Sequence, residues 1–242
     1  MITQIALLTM PLLLVSGTSQ KYPWSQSLPN IPIKSCCDLR IYYPDVGSGI
    51  YKISVGKFGT ANVYCDMTTA GGGWIVIQSN RGGNRFTCSF NKNWKEYEDG
   101  FGSFNYYNFN SWAGLKLMHL LTQSGEWEMR VDYRNQGGYP PVYIHYNQFK
   151  VGSASENYKL TVGGYTGVGS DYFTAGDQPA NNRSFSTPDN DNDLSESNCA
   201  AATKCGWWYN ACDYFNPNRQ PPMHDWTNGY YTVMKIRPKD CA

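Results

Sequence analysis

The sequence predicts an α+β chain whose alternating strands and few short helices give way to a long, irregular C-terminal stretch that must be stapled from outside. Three observations carry this. Several short runs alternate apolar and polar residues with the period of a strand. Residues 93–100 and 111–123 carry helix signals with glycine stops. Beyond Gly163 the chain turns to Gly, Asn, Asp, Ser and Pro until Tyr230, and connections of that size are functional or held by added constraints.

Residues 5–15 form an apolar run of signal-peptide length, and Ser16, Gly17, Thr18 and Ser19 supply small residues for cleavage. A signal peptide over 1–19 is therefore expected, and the run is short for a bilayer span. Residues 20–35, with Pro23, Pro29 and Pro32, read as a short leader. It has no Gly-X-Y repeat or heptad, so no stalk is built in. The folded domain is expected over 36–242.

From Cys36 the texture becomes regular. Residues 49–55 and 61–65 alternate as strands, and Gly71-Gly72-Gly73-Trp74 reads as a turn feeding a buried strand. Residues 93–100 form a helix ended by Gly100. Residues 111–123 form the clearest helix, with Leu117, Leu120 and Leu121 on one face and Gly125 beyond its end. His119 borders that face and reads as structural, since no nucleophile or carboxylate partner is identifiable. Strands follow at 126–133, 141–151 and 158–162, and the strand at 230–237 is placed to rejoin the sheet.

With 242 residues, 41% hydrophobic, the chain suffices for one large domain or two small ones. A net charge of +1 with 16% charged residues gives no footprint for nucleic acid or acidic membranes. Eight cysteines (36, 37, 65, 88, 199, 205, 212 and 241) without Cys-x2-Cys pairs, beside three scattered histidines, favour disulfides over zinc. The expected location is secreted and extracellular. Asn182-Arg183-Ser184 marks Asn182 for glycosylation.

The chemistry concentrates in Asp189, Asp191 and Asp193, three carboxylates at alternate positions just before Cys199. Carboxylates this crowded repel unless a cation separates them, and hard oxygen ligands suit Ca2+. The alternative is a solvated acidic turn. An EF-hand is excluded, because its required Gly and Glu would fall on Leu194 and Ala200.

Eight motifs in order resemble the fibrinogen C-terminal domain, the module of fibrinogen chains, ficolins, tachylectin-type lectins, tenascins and angiopoietins. They are Cys65-Asp-Met, Gly71-Gly-Gly-Trp, Asn93-Trp-x2-Tyr-x2-Gly-Phe-Gly, His119-Leu-Leu-Thr, Tyr158-x-Leu-x-Val-Gly-Gly-Tyr, Phe185-Ser-Thr-x-Asp-Asn-Asp-Asn-Asp, Trp207-Trp-Tyr-Asn-x-Cys and Met234-Lys-Ile-Arg-Pro. The resemblance spans Cys36 to Cys241. It implies a small N-terminal region closed by Cys37–Cys65, a central antiparallel sheet with flanking helices, and an irregular, calcium-stapled C-terminal region closed by Cys199–Cys212. By position it implies calcium ligation by the Asp191 and Asp193 carboxylates and the Ser195 and Ser197 carbonyls, with Asp189 as an outer neighbour. It also implies a ligand pocket beside a cis Ala211–Cys212 bond, with Asp213 next in the chain and Tyr209, Tyr214, Tyr230 or Tyr231 as aromatic walls. The pocket departs from acetyl-binding relatives at Asp213, commonly His, and at Thr203, a Tyr in those lectins. The stretch before the last strand is also shorter than in most relatives. Cys36, Cys88, Cys205 and Cys241 stay open among three intramolecular pairings and interchain links.

Two functions follow. The first is a calcium-dependent lectin recognising carbohydrates, acetylated ones included, on microbial or host surfaces in innate immune pattern recognition. The second is a ligand for an extracellular protein receptor, in receptor binding, adhesion or self-assembly. Weak monovalent sugar binding would call for homo-oligomers. An enzyme is not expected, since no nucleophile–base pair, nucleotide loop or metalloprotease motif appears.

Overall fold

Two neighbouring cysteines begin the fold. Ser35 caps α1 (Cys36–Tyr42) reciprocally with Asp38: Asp38 N–H donates to Ser35 Oγ at 3.2 Å and Ser35 N–H to Asp38 Oδ2 at 2.9 Å. Adjacent helical residues point about 100° apart, so Cys36 and Cys37 must serve different partners. Cys36 bonds Cys65, whereas Cys37 bonds Cys241 near the other end of the domain. The expected Cys37–Cys65 pairing is corrected accordingly. The computed structural model describes residues 32–80, 90–102, 110–134, 142–212, 215–219 and 231–241. The expected signal peptide, the leader as far as residue 31, Cys88, Asp213, Tyr214 and Tyr230 lie outside them. The last leader residues belong to the folded unit, which begins at Pro32: Ser54 N–H donates to Ile33 O at 2.6 Å.

The described strands form one antiparallel sheet. Its order is β1 (Gly49–Ser54), β2 (Thr60–Asp66), β3 (Trp74–Asn80), β9 (Tyr231–Pro238), β6 (Trp127–Arg134), β7 (Val142–Val151) and β8 (Leu160–Gly167). Two short strands, β4 (Phe101–Gly102) and β5 (Ser111–Trp112), attach through β5 to β3. The C-terminal strand rejoins the sheet, as expected, and sits centrally, between β3 and β6. The turn before β3 needs its glycines. At Gly72, with φ 76°, a Cβ would lie 2.3 Å from Met67 O, and at Gly73 it would lie 2.7 Å from Cys241 Sγ.

Alternation gives the sheet two different faces. Met129, Val131, Met234 and Ile236 join the main core with Ile75, Ile77 and Ile144. The intervening residues carry buried charges. Lys235 Nζ lies 2.8 Å from both Asp66 Oδ2 and Asp132 Oδ2. Arg237 pairs with Glu128 and lies 4.2 Å from the Trp74 ring, while Glu128 also meets His145 at 2.7 Å.

Helix α2 (Trp94–Asp99) matches expectation, with Asn93 as a capping-box residue and Gly100 at its end. Replacing Asn93 with Ala should cost about 1 kcal/mol, read from urea unfolding, whereas Lys95→Ala at an exposed ion pair should cost less. Helix α3 (Leu115–Thr122) starts later than expected. Ser111 and Trp112 enter the sheet instead, and Gly114, with φ 98°, turns the chain between the two. Its buried stripe is Leu115, Met118, Leu121 and Thr122, leaving Leu117 and Leu120 half-buried. His119 Nδ1 lies 3.0 Å from Val151 O, a structural contact with the sheet.

The irregular region is held largely by aromatics. Trp207, Trp208, Tyr209, Phe185 and Phe173 are buried in the same core as Tyr97 and Trp112. Trp208 Nε1–H donates to Tyr158 O at 2.8 Å, and Gly206 N–H to Tyr97 Oη at 2.9 Å. A short helix, α4 (Cys199–Thr203), follows the acidic loop, and its Cys199 is disulfide-bonded to Cys212.

Candidate calcium loop and recognition surface

The acidic loop is fixed at both ends. Ser186 and Trp207 exchange two backbone hydrogen bonds, and Thr187 and Asn190 close a tight turn. Asp189 Oδ1 accepts from Trp94 N–H at 2.9 Å and Thr187 Oγ1 at 2.7 Å, which seats the loop on the first turn of α2. Asn192 anchors the loop inward, donating from Nδ2 to Phe185 O at 2.8 Å and accepting from Asn157 Nδ2 at 3.1 Å.

Asp191 and Asp193 are left together. Asp193 Oδ1 accepts from Ser195 N–H at 2.8 Å, and its Oδ2 from Cys199 N–H at 2.9 Å, so one carboxylate organises the turn into α4. Asp193 N–H donates to Asp191 Oδ1 at 3.2 Å. Burial, and then the neighbouring Asp191 carboxylate, raise the Asp193 pKa against the lowering effect of its two backbone donors. Two carboxylates so close are more comfortable sharing a cation than standing ionised alone. Neither the Ser195 nor the Ser197 carbonyl accepts a hydrogen bond from the described residues. Among the described residues no three His, Cys, Asp or Glu side chains converge on a metal position. A cation here would therefore draw on two carboxylates, main-chain oxygens and water, a donor set that fits Ca2+.

The expected ligand residues do not converge. Tyr209 is fully buried, with its hydroxyl donating to Cys205 O at 2.7 Å, and cannot wall an open pocket. Trp207 and Trp208 are buried too, so the aromatic cluster is core and not recognition surface. Ala211 is exposed, but its N–H already donates to Gln178 Oε1 at 2.9 Å. The described residues contain no cis peptide bond: Ala211–Cys212 is trans, with Cys212 at φ 76°, and Asn210 N–H closes the turn onto Cys212 O at 3.2 Å. Tyr231 packs with Tyr64, Val76 and Val233 in a separate cluster, its ring 5.8 Å from the Arg134 guanidinium. Asn182 is exposed at a left-handed turn, with φ 63°.

The family model for the fibrinogen beta and gamma chains, C-terminal globular domain, matches residues 33–235. This chain belongs to that family. The fibrinogen-like domain is 37% identical to fibrinogen-like protein 1 of Bos taurus over 221 residues, covering 80% of this chain and 68% of that protein. It is 38% identical to tenascin-R of Gallus gallus over 184 residues, covering 75% of this chain but only 13% of tenascin-R. The fibrinogen-like globe domain of human ANGPTL6 superposes with a TM-score of 0.73 at 30% identity, covering 88% of this chain and 99% of that one. Lamprey fibrin D-dimer complexed with the peptide ligand Gly-His-Arg-Pro-amide gives 0.74 at 26% identity, covering 90% of this chain and 79% of that one.

Within this fibrinogen-like domain, sequence reasoning missed Asn192 and Gln178. The Asn192 role was readable in principle: in an extended Asp-Asn-Asp-Asn-Asp run alternate residues face opposite ways, so the asparagine can turn inward where the aspartates do not. Nothing in the sequence marks Gln178, whose contact arises only when distant loops meet.

Proposed function

We propose that this fibrinogen-like domain is a secreted, non-catalytic recognition module whose C-terminal loops are set by calcium and engage an extracellular protein or peptide. The observation that carries this is the Asp191–Asp193 pair, joined through Asp193 to the first turn of α4 beside the Cys199–Cys212 bridge. Calcium would be held by those two carboxylates and by the Ser195 and Ser197 carbonyls. It would neutralise the crowded anions and fix the loop that leads to Cys212. The three disulfides among the described residues suit an oxidising, extracellular setting. A peptide ligand on a structural relative supports a protein partner, and the occupied Ala211 N–H weighs against acetyl capture. The lectin reading, with glycans recognised in innate defence, is the second. It is favoured by the exposed loop rim, where the Ser195 and Ser197 hydroxyls lie 3.4 Å apart beside carboxylates that suit sugar hydroxyls.

Calcium is tested by melting wild type and Asp191→Ala in calcium and in chelator. At calcium one hundredfold above Kd the native state gains about 2.7 kcal/mol, so chelator should lower the wild-type Tm and leave the variant unmoved. An equal wild-type Tm in both conditions rejects the calcium. The ligand is tested with the same proteins on a glycan array and on immobilised receptor ectodomains and peptides. Calcium-dependent sugar signals lost in Asp191→Ala would establish the lectin, whereas a blank array with calcium-dependent protein capture establishes the first reading.

A further inference from the structure

The sheet ends on two strands that are guarded differently. At one end β1 carries Lys52, and Ile33 O covers its margin by accepting from Ser54 N–H at 2.6 Å. At the other end β8, Leu-Thr-Val-Gly-Gly-Tyr-Thr-Gly, holds neither a charge nor a proline, the residue types that commonly stop an edge from pairing with another chain. Only its first residues are covered, by the segment 180–183. Leu160 N–H donates to Arg183 O and Asn182 N–H to Leu160 O, each at 2.9 Å, and Val162 N–H donates to Asn181 Oδ1 at 3.0 Å.

Those contacts fix which way the rest of the strand faces. Residues 160 and 162 turn their main-chain groups outward, so by the two-residue period 164 and 166 do too. Gly164, with φ 67°, kinks the strand, but Gly163 and Tyr165 keep one register with Gln148 and Tyr146 on either side. Gly164 and Thr166 are exposed, and among the described residues neither enters a main-chain hydrogen bond beyond the β7–β8 ladder. Val168, 66% exposed, follows directly. An open edge of this kind can pair antiparallel with the same edge of a second copy about a two-fold axis.

Asn182-Arg183-Ser184, the one glycosylation sequon in the sequence, lies where the cover stops. Arg183 N–H closes a turn onto Ala180 O at 3.2 Å, which holds Asn182 in the left-handed region that asparagine tolerates. Asn182 is exposed, and among the described residues neither its side-chain amide nor the Ser184 hydroxyl makes a hydrogen bond. At about 3.4 Å per residue the open groups of β8 begin roughly 14 Å from Asn182, within the sweep of a branched oligosaccharide.

From an available amide at the covered end of an otherwise unguarded edge, we infer that Asn182 carries an N-linked glycan that shields residues 164–168 and prevents two copies from pairing edge to edge. The donor is a lipid-pyrophosphate-linked oligosaccharide. Asn182 Nδ2 bonds to its anomeric carbon and gives up one proton, and the lipid pyrophosphate leaves with the electron pair of the broken C–O bond. A bulky, water-soluble branch then does for β8 what Lys52 and Ile33 do for β1.

The experiment takes the full chain secreted from an insect or mammalian line and measures intact mass and sedimentation before and after enzymatic removal of N-glycans. Wild type should carry added mass that the enzyme removes, and should sediment as a monomer until it is removed. Ser184→Thr should keep that mass and Ser184→Ala should lose it. Stripped wild type and Ser184→Ala should self-associate about tenfold or more tightly than the glycosylated form. In the Ser184→Ala background, Thr166→Pro removes an outward N–H without touching the β7 ladder, and Val168→Lys adds a charge beside the edge; each should restore the monomer. Tm measurements confirm that each variant is folded. Absent glycan mass, a stripped protein that stays monomeric, or self-association that both edge variants leave unchanged each overturns the proposal. Calcium is saturating throughout, so failure here leaves the calcium-dependent reading untouched.

Discussion

Lys235→Ala should destabilise the domain by about 3–5 kcal/mol, because it strands the buried carboxylate of Asp66. Lys235 is 4% exposed and lies between Asp66 and Asp132. Asp132 keeps Arg130, whose guanidinium is 2.7 Å away. Asp66 keeps only neutral donors: Thr68 N–H and Thr69 N–H at 3.0 Å and the two threonine hydroxyls. Burial alone would raise the Asp66 pKa. The charge and hydrogen bond of Lys235, with help from Thr69, outweigh it and hold the carboxyl far below the usual range. The sign of the pH dependence follows. A depressed folded-state pKa contributes stability that is present above the unfolded value, near 3.8, and lost as pH falls towards the folded one. Urea unfolding of wild type from pH 7 downward should therefore show stability falling below about pH 4. In Lys235→Ala the burial effect is unopposed by a cation, so the Asp66 share of that acid loss should shrink or reverse, and the variant's deficit should be largest near neutral pH. A variant within 1 kcal/mol of wild type, with an unchanged acid limb, would contradict the network.

Breaking Cys37–Cys241 by Cys37→Ala/Cys241→Ala should cost at least as much. The bridge closes a separation of 204 residues. Chain-entropy reasoning assigns such a loop roughly 5 kcal/mol and assigns roughly 3 kcal/mol to the 13-residue separation of Cys199–Cys212. The dependence is logarithmic, so the second cross-link at Cys36–Cys65 changes the estimate little. Denaturant unfolding should thus rank the Cys37/Cys241 variant below the Cys199/Cys212 variant. The reverse order would mean that local distortion at the acidic loop outweighs chain entropy.

What the sequence made legible depended on whether the signal was local. Helix α2 was readable in detail because Asn93, Glu96 and Gly100 are start and stop signals within one short segment. The strands were readable from alternation, as was the return of β9 to the sheet, but not its place between β3 and β6. The cysteine partners were not, since motif order suggests which region is bridged and cannot say which of two adjacent helical residues faces it. Tyr209 misled for a related reason: an aromatic beside a pocket looks like display, but an irregular segment lacks the pattern that separates inside from outside. The pair Asp191 and Asp193 was visible because its spacing alone brings the carboxylates together. The open edge of β8 was not, because which strand ends the sheet depends on pairings between segments distant in sequence.

The bond between Cys37 and Cys241 also decides how the domain carries mechanical load. Tension entering near residue 36 and leaving near residue 241 passes across one sulfur–sulfur link and bypasses the hydrogen-bonded ladders between. The sheet and the loops that hang from it are shielded from a pull along the chain. A partner gripping those loops, by contrast, pulls on the fold itself.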